Sequence, residues 1–555
     1  MERIRVCNLR CLVDTSMIEL KPITLLVGAN SSGKSSFLRV FPLLRQSAEM
    51  RTVSGLLLNE GDVNFGFFNE AIHRDAEPSE LKLEFELTLK RGLYQGGYLN
   101  HFLIGQIDAS CELTYARRGK DQRYPYLNSV RLKLGNGPDS DVIELCSDED
   151  GKITKFGVNT YVANGEVAQL RLRVGRGLVP ALVRALDNKG GDDSLISDEV
   201  SETGLFEQKL LAETASLFHG RTTNETRLAT LRSVGIGTPQ GMLAAMRNIT
   251  GVSSWHQRVQ HWTLETSTFR NVRNLLLAKA TGELLASVNL YVSQLARSVH
   301  YYKPVRASVE RDYLSRDVQV SSVDSSGVNV AMVLASLGHT ALGKFREWMR
   351  THFGFEVFPQ SVSDGARVAL RMKEGGSGAE FNLADMGFGF SQMLPFLVQI
   401  WNLVEYEPTR RRPPFARQYQ PSEWAMPRSF LIAIEQPELH LHPALQARLA
   451  DLFVEVARLS RERNIPVRFM LETHSPTIIE RVGHLLEAQR LKPEDVQVLL
   501  FERGGEGQQP NTGTVRSSHY DSEGILHDWP FGFLSPPPDP LPAFVVPASP
   551  AASSL

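Results

Sequence analysis

The feature that most constrains this chain is the loop from Gly28 to Ser35, with the sequence GANSSGKS. Residues 23–27 (ITLLV) predict a buried strand before the loop, and the residues after Lys34 carry apolar side chains at helical spacing. A strand, a glycine-rich turn and a helix in this order bring backbone N–H groups and a helix N-terminus around a polyphosphate. The sequence therefore predicts a protein that binds ATP or GTP.

The loop supplies most of the candidate site residues. In loops of this type the lysine reaches the β- and γ-phosphates, so Lys34 is a candidate catalytic residue. The final hydroxyl group binds Mg²⁺, so Ser35 is a candidate metal ligand. The residues predicted to bind the nucleotide here are Gly28, Ala29, Asn30, Ser31, Ser32, Gly33, Lys34, Ser35 and Ser36.

Composition indicates a globular protein. The 555 residues are 42% hydrophobic and 22% charged, and the chain is long enough for more than one domain. The net charge of -2 gives no overall attraction to nucleic acid or to a membrane, so any DNA contact must come from a local patch. The four cysteines form no C-x-x-C pair, and no signal peptide or long apolar run is recognisable. We therefore expect a cytoplasmic protein without membrane contact.

The pattern of apolar residues changes twice along the chain. Up to about residue 174 it predicts antiparallel strands, most clearly in 81–89 (LKLEFELTL), where apolar and polar residues alternate. From 178 to 300 it predicts helices, and in the longest, 269–299, the apolar residues lie on one side. After residue 301 mixed α/β patterns return, with predicted strands in SFLIAIE, VRFMLETHS and VQVLLFER.

These changes divide the chain into four segments. We predict an N-terminal lobe over 1–175, a helical insertion over 176–300, a C-terminal lobe over 301–534 and a disordered tail over 535–555. The fold class that they predict is α/β, with an antiparallel β subdomain and a helical insertion.

Two acidic residues follow a predicted strand in the C-terminal lobe. The apolar stretch 430–434 runs directly into Glu435. A strand that ends in an acid can bring a carboxylate to the Mg²⁺ beside the phosphate loop, so Glu435 is a candidate metal ligand and catalytic residue. Glu438, three residues later, is a second candidate catalytic acid.

Two further segments carry candidate chemistry. In 385–392 (DMGFGFSQ), Gly389, Ser391 and Gln392 stand at a helix start, where backbone N–H groups bind anions. In FMLETHS, His474 follows an apolar strand, and its imidazole can hydrogen-bond a γ-phosphate or the attacking water. The first segment predicts a second anion-binding end, and His474 is a further candidate catalytic residue.

The order of these motifs resembles the ABC-type ATPase heads of the SMC, RecF and OLD (overcoming-lysogenisation-defect) proteins, over about 1–90 and 300–505. The resemblance implies the P-loop NTPase fold, with ATP and Mg²⁺ as cofactors. The matching motifs are Walker A at 28–35, the signature at 387–392, Walker B at 430–435 and the switch histidine at His474.

The resemblance also implies an assembly. In such heads two copies enclose two ATP molecules, and the signature helix of each copy caps the γ-phosphate held by the other. The implied unit is a homodimer or a higher oligomer in which Gly389, Ser391 and Gln392 contact the ATP of the partner copy. Arg10 and Gln46 are weaker matches to family residues near the nucleotide.

One position departs from the family pattern. The family ends Walker B with Asp-Glu, a metal ligand followed by a general base, where this chain has Glu435-Gln436. An amide cannot take a proton from water at neutral pH, so general-base catalysis from position 436 is lost. Either Glu438 or Glu472 replaces the base, or hydrolysis is slow and the protein works mainly as an ATP-dependent clamp. We favour slow hydrolysis.

The resemblance also suggests a biological role. The OLD nucleases carry a TOPRIM nuclease domain after the ATPase head, and the D-x-D of such a domain is not recognisable after 501–505. The chain is similar in this to the ATPase subunits of Septu and Septu-like retron systems, in which a separate HNH-type nuclease cuts. The resemblance therefore implies an ATPase that gates a partner nuclease in antiphage defence. The alternatives are a RecF-like DNA-binding clamp in repair or recombination, and a nucleotide sensor that does not hydrolyse.

Some residues have a second interpretation. Glu438, His440 and His442 are of the types that form metal clusters, although a D-loop at the dimer seam is favoured for this segment. Basic residues at several positions can contact phosphates or nucleic acid, or can be structural or solvated. These are Arg306, Arg311 and the run from Arg410 to Arg412.

Overall fold

The computed structural model of the chain describes residues 2–50, 52, 54–90, 103–119, 123–137, 139–163, 166–175, 177–184, 204–304, 306, 309–314, 323–362, 366–375, 378–406, 429–463, 465–503 and 512–529. The run from Arg410 to Arg412 and the tail 535–555 lie outside these described residues.

Among the described residues, fifteen strands form one mixed sheet. They are β1 (Arg3–Leu9), β2 (Leu12–Asp14), β3 (Ile18–Glu19), β4 (Ile23–Gly28), β5 (Glu80–Lys90), β6 (Gln106–Arg117), β7 (Pro125–Leu134), β8 (Asp141–Ser147), β9 (Ile153–Val158), β10 (Tyr161–Val162), β13 (Val299–Tyr302), β18 (Phe430–Glu435), β19 (Val467–Glu472), β20 (Val496–Arg503) and β21 (Gly513–Ser518). Their order is β10-β9-β8-β7-β6-β5-β1-β2-β21-β20-β4-β19-β18-β13, and β3 pairs with β1.

The half of the sheet that carries the phosphate loop is parallel. Here β20, β4, β19, β18 and β13 pair in this order. Strands β4, β18 and β19 are buried at nearly every position, which is typical of parallel strands covered on both faces. Because the strands are parallel, their carboxyl ends meet at one edge of the sheet. This edge brings together Gly28, Glu435 and Glu472.

The other half of the sheet, from β1 through β5 to β10, is antiparallel. In β5 every second residue is buried, as the alternation in 81–89 predicts. The two halves are continuous, because β20 and β21 lie between β4 and β2. The predicted N-terminal and C-terminal lobes therefore share one sheet.

The helices of the described residues are α1 (Lys34–Leu38), α2 (Val40–Glu49), α3 (Phe68–Ala71), α4 (Gly204–Thr214), α5 (Asn224–Arg232), α6 (Pro239–Arg247), α7 (Ser253–Val259), α8 (Ser267–Arg297), α9 (Val330–Ala335), α10 (His339–Phe353), α11 (Phe388–Trp401), α12 (Pro443–Glu462) and α13 (Pro476–Glu487). The helices α4 to α8 lie between the two lobes in sequence, and α8 packs against α2, α4, β5 and β9.

Helix α8 is the central helix of this packing. It is long and apolar enough to cross a membrane by length and composition, but 61% of its most apolar window is buried inside the protein. The predicted one-sided stripe is wrong, because residues such as Leu275, Leu277 and Leu285 are buried as well as those of the stripe. A helix covered on several sides by a sheet and other helices has no wet face to keep polar.

Two smaller sheets complete the described fold. One pairs β11 (Leu170–Arg173) with β12 (Ala181–Arg184). The other contains β14 (Tyr313–Leu314), β15 (Phe355–Val362), β16 (Arg367–Glu374) and β17 (Glu380–Asn382). Strand β17 leads within a few residues into α11, so this sheet positions the predicted signature turn.

Candidate nucleotide-binding site

The phosphate loop connects β4 to α1 with a backbone that favours glycine at two positions. Gly28 has φ 148° and Gly33 has φ 109°, which ordinary side chains rarely adopt. A Cβ on Gly28 would lie 2.1 Å from the carbonyl oxygen of Phe501, because β20 runs directly beside β4. This packing fixes the base of the loop and leaves its tip, residues 29–31, exposed.

Lys34 is held by the carbonyl groups of its own loop. Its Nζ donates to the carbonyl oxygens of Gly28 (2.9 Å) and Ala29 (2.7 Å), and the residue is 3% exposed. Burial lowers the pKa of the Lys34 ammonium group. An anionic phosphate oxygen is a stronger acceptor for this group than a neutral carbonyl oxygen. Lys34 is therefore placed to bind a phosphate group.

Glu472, the last residue of β19, contacts the hydroxyl group of Ser35. Ser35 Oγ donates to Glu472 Oε1 at 2.8 Å, because β19 pairs with β4 and ends beside the loop. Glu472 is 5% exposed, and among the described residues its Oε2 has no hydrogen-bond partner. Burial raises the pKa of Glu472 to about 7. The sequence suggested this residue only as an alternative base, whereas the structure brings it to the predicted metal ligand Ser35.

Glu435, the predicted metal ligand at the end of β18, is bound by other side chains. Its Oε1 accepts hydrogen bonds from Arg39 Nε and from the Tyr301 hydroxyl group, both at 2.7 Å. Its Oε2 accepts a hydrogen bond from Arg39 Nη2 at 2.8 Å, and the residue is 1% exposed. This differs from the predicted arrangement, in which Glu435 and Ser35 together face the metal ion. The role of Glu435 as a metal ligand stays a prediction.

Glu438 and His474 lie next to each other beside the loop. The backbone N–H of His474 donates to Glu438 Oε1 at 2.7 Å, and Glu438 Oε2 is buried with no partner among the described residues. Burial raises the pKa of Glu438. Burial lowers the pKa of His474, and the charge of Lys34 adds to this effect. Both effects favour the neutral form of the His474 imidazole, which lies close to Lys34.

The glycine–serine turn forms the first turn of α11. Gly387 at its tip is exposed, whereas Ser391 is 5% exposed and Gln392 is buried. A Cβ on Gly389 would lie 2.5 Å from the carbonyl oxygen of His440, so the turn packs closely on the segment after Walker B. This differs from the predicted contact of Ser391 and Gln392 with a partner's ATP, because the chain itself covers both side chains. Their role in nucleotide binding stays a prediction.

Gln392 is engaged by Arg306. Its Oε1 accepts from the backbone N–H of Arg306 at 2.7 Å, and its Nε2 donates to the Arg306 carbonyl oxygen at 3.0 Å. The Arg306 guanidinium group donates to the carbonyl oxygens of Gln392 and Glu435, each at 3.1 Å. Arg306 therefore ties the start of α11 to the end of β18, which supports its structural interpretation. Arg311 forms an exposed ion pair with Asp385 at 2.6 Å.

A cavity of about 650 Å³ opens beside Ser31 of the phosphate loop. Three arginine side chains line it, those of Arg10, Arg74 and Arg503, together with Phe65, the acid Glu70 and other residues. The Arg10 guanidinium group lies 5.2 Å from the centroid of the Phe65 ring. A cavity with cationic and aromatic side chains next to a phosphate loop is of a suitable kind for the nucleoside end of a nucleotide.

Gln46, the other weak family match, has a different environment. Its Nε2 donates to the carbonyl oxygens of Leu57 (2.5 Å) and Val63 (3.1 Å), and its Oε1 accepts from the Val63 N–H at 3.2 Å. The side chain is buried under this loop. In this structure Gln46 therefore anchors the loop 57–63 and makes no contact with the phosphate loop among these hydrogen bonds.

The alternative of a metal cluster after Walker B gains no support. Among the described residues, no group of three or more His, Cys, Asp and Glu side chains could hold a metal ion. His442 instead caps α12, since its Nδ1 accepts from the Ala444 N–H at 3.3 Å. One carboxylate oxygen of Glu438 accepts a hydrogen bond from the backbone N–H of His474.

The site as a whole fits a nucleotide with a metal ion. Buried polar atoms in proteins almost always have a partner. Around this loop, three such atoms have none among the described residues: Ser32 Oγ, Glu438 Oε2 and Glu472 Oε2. Phosphate oxygens and a hydrated Mg²⁺ ion offer donors and acceptors of the kind that these atoms lack.

The fold and the site define the class of protein. One strand, β19, separates the loop strand β4 from the acid strand β18, and an antiparallel lobe and a helical insertion join the same sheet. This is the P-loop NTPase fold of the ABC/SMC-head type, as predicted. Residues 1–90 and 336–479 match the family described as "AAA ATPase domain". The matched segments make up less than half of the chain and include the phosphate loop, Walker B and His474. The enzyme class of the protein is ATPase.

Two solved structures are similar to the chain at the level of a weak overall match. One is described as "Structure of the recombination mediator protein RecF-ATPrS in RecFOR pathway", with 11% identity, 93% of this chain and 97% of that chain covered, and a TM-score of 0.22. The other is the same protein described as "RecF-ATP", with 11% identity, 85% and 93% coverage, and a TM-score of 0.23. No curated protein matches the chain.

Proposed function

We propose that the chain is an SMC/OLD-like ATPase that binds ATP with Mg²⁺, dimerises around the nucleotide and regulates a partner nuclease in bacterial antiphage defence. The observation that carries the ATP site is the set of buried, unpaired polar atoms around the phosphate loop. The dimer is supported by the order of the motifs, and the nuclease partner by the sequence resemblance alone.

The side chains around the loop have different roles in binding the phosphates and in hydrolysis. Lys34 and the loop N–H groups bind the β- and γ-phosphates, and the neutral His474 imidazole hydrogen-bonds the γ-phosphate or orients the attacking water. Mg²⁺, when bound, neutralises charge on the phosphate oxygens, and Ser35 with a nearby carboxylate would hold it. The cavity beside Ser31 receives the nucleoside.

Hydrolysis in this proposal is slow. Gln436 has φ 46°, and its backbone N–H donates to the Glu472 carbonyl oxygen at 2.8 Å, so the residue is held at the strand end. Its side-chain amide can orient a water molecule but cannot accept its proton. Of the two other acids, Glu438 already uses one oxygen for the His474 N–H, and Glu472 uses one for Ser35.

The test of the ATP site is a binding and turnover measurement. Isothermal titration of the purified protein with ATP and Mg²⁺ should show saturable binding, with slow phosphate release. Lys34→Ala should weaken binding about 10-fold or more, because it removes the buried ammonium group. Lys344→Ala, the same change at an exposed position of α10, should leave it unchanged. A wild-type protein that binds no ATP contradicts the proposal.

The dimer can be tested at the exposed tip of the signature turn. A Cβ on Gly387 meets no atom within 4 Å, so the monomer tolerates a large residue there. Light scattering should show a doubled mass with a nonhydrolysable ATP analogue, and Gly387→Trp should abolish this doubling. Gly343→Trp, at an equally open site on α10, serves as the control. A mass that never changes with the analogue contradicts the dimer.

The partner is tested by co-purification of the protein from its native operon, where an HNH-type nuclease is expected.

The RecF-like alternative requires a basic surface for DNA. On the outer face of the antiparallel half, however, acids neutralise several basic side chains. Arg3 pairs with Glu86 at 3.1 Å, and Arg5 pairs with both Asp14 (2.5 Å) and Glu84 (3.5 Å). This face gives the DNA clamp no particular support.

A further inference from the structure

Two glutamates end neighbouring parallel strands beside the phosphate loop, and their oxygens are used differently. Glu435 and Glu472 lie opposite each other in register, at the ends of β18 and β19. The order of the sequence motifs assigns the metal ion to Glu435. The hydrogen bonds of the two carboxylates show which of them has an oxygen available to bind a metal ion.

Glu435 has both oxygens occupied. It accepts two hydrogen bonds from Arg39, at 2.7 and 2.8 Å, and a third from the Tyr301 hydroxyl group at 2.7 Å. A bidentate arginine–carboxylate pair is among the stronger polar contacts in proteins. A divalent cation at this carboxylate would have to displace the guanidinium group or lie beside its positive charge. Both are unfavourable.

Glu472 has one oxygen occupied and one without a partner. Its single side-chain hydrogen bond comes from Ser35 Oγ, and Oε2 is buried with no partner among the described residues. An octahedral Mg²⁺ ion holds its oxygen ligands at about 2.1 Å, so neighbouring ligands stand about 3 Å apart. Ser35 Oγ lies 2.8 Å from Oε1 of this carboxylate, so the Ser35 hydroxyl group and the carboxylate are close enough to bind one ion.

We propose that Glu472 and Ser35, rather than Glu435 and Ser35, hold the Mg²⁺ ion that accompanies the nucleotide. Glu435 is then a positioning residue, which fixes Arg39 of the α1–α2 junction and Tyr301 of β13. The inference rests on the proposed ATP binding and names the metal site within it. It also explains the unpaired oxygen of Glu472, which a metal ion would complete.

The experiment separates the metal from the nucleotide. ATP affinity is measured by titration calorimetry in Mg²⁺ and again in EDTA, and the ratio of the two affinities is the metal-dependent gain. Electron paramagnetic resonance with Mn²⁺ and ATP reports bound metal independently of turnover. The variants are Glu472→Gln and Glu435→Gln, which make the same substitution at the ends of neighbouring strands. Thermal melting without nucleotide confirms that each variant folds.

We expect Glu472→Gln to lower the metal-dependent gain about 10-fold or more, and to keep the wild-type affinity in EDTA. Glu435→Gln should largely keep the gain, because Arg39 and Tyr301 occupy this carboxylate. Loss of the gain in Glu435→Gln, in both variants or in neither overturns the inference. So does a Glu472→Gln protein that binds Mn²⁺–ATP normally and only loses turnover, because Glu472 would then be a general base. Wild-type protein that binds no ATP in Mg²⁺ or in EDTA overturns the proposed function, and the inference with it.

Discussion

Buried charge is handled differently at the nucleotide site and at the junction between α8 and the antiparallel lobe. At the junction, Asp141 accepts from Asn159 Nδ2 at 2.8 Å with one oxygen and from Arg273 with the other. At the nucleotide site, Glu438 and Glu472 each leave one oxygen without a partner among the described residues. At the junction both oxygens of the acid have partners, although Arg273 Nε has none among the described residues, whereas each acid of the site leaves one oxygen for a ligand. The comparison separates an acid that stabilises the fold from an acid that binds.

The largest expected effect comes from breaking the junction. Arg273→Met leaves the Asp141 carboxylate buried without its ion-pair partner, and removing one member of a buried pair costs about 3–5 kcal/mol. Burial already raises the pKa of Asp141, against the effect of Arg273. Urea unfolding should show this loss in the free energy of unfolding, while ATP affinity of the folded fraction stays at the wild-type value.

The matched control lies one turn earlier on the same helix. Arg270 pairs with Glu265, and both side chains are more than half exposed. Arg270→Met should therefore change the free energy of unfolding by no more than about 1 kcal/mol. Equal losses of unfolding free energy in the two variants would show that the buried pair stabilises the fold no more than the exposed pair. The contrast between the junction and the nucleotide site would then fail.

The next effect concerns the chemistry of the nucleotide site. Gln436→Glu places a carboxylate at the family position of the general base, and a positioned general base contributes about 10²- to 10⁴-fold to a rate. We expect the ATP turnover rate to rise by about 10²-fold, the lower end of this range, because the negative charges of Glu472 and Glu435 lie near the new carboxylate and disfavour its ionised form. Steady-state phosphate release measures it. An unchanged rate would show that another residue is already the base, or that chemistry does not limit turnover.

Sequence patterns predicted the parts of the fold that are local. The alternation in 81–89 corresponds to β5, and the acid-terminated stretch 430–434 corresponds to β18, because a single strand carries each signal. The one-sided stripe of α8 was wrong. Burial of this helix depends on elements that pack against it from elsewhere in the chain, so the local pattern could not give it.

The nucleotide site shows the same division. The phosphate loop is one contiguous motif, so its residues were recognisable together. The pair between Arg39 and Glu435 joins residues 396 positions apart, and the contact between Ser35 and Glu472 joins residues 437 apart. The order of the strands in the sheet creates both contacts, and this order cannot be read from the sequence alone. The available signal was the position of Glu472, an acid that ends the apolar strand VRFMLE beside a candidate histidine.

The smallest effect tests the comparison with one substitution made in both regions. Ser32 Oγ is buried without a partner among the described residues, whereas Ser147 Oγ donates to the Leu127 carbonyl oxygen at 2.6 Å in the antiparallel lobe. Ser147→Ala should cost about 1 kcal/mol of unfolding free energy, because it removes a buried hydrogen bond. Ser32→Ala removes a hydroxyl group that stabilises nothing in the free protein, so its unfolding free energy should stay equal or rise by up to about 1 kcal/mol. ATP affinity should respond in the opposite way, falling severalfold in Ser32→Ala and staying unchanged in Ser147→Ala. Urea titration and calorimetry on both variants measure the two quantities, and a Ser32→Ala protein that loses stability while keeping its ATP affinity would mean that this hydroxyl group belongs to the fold and not to the ligand.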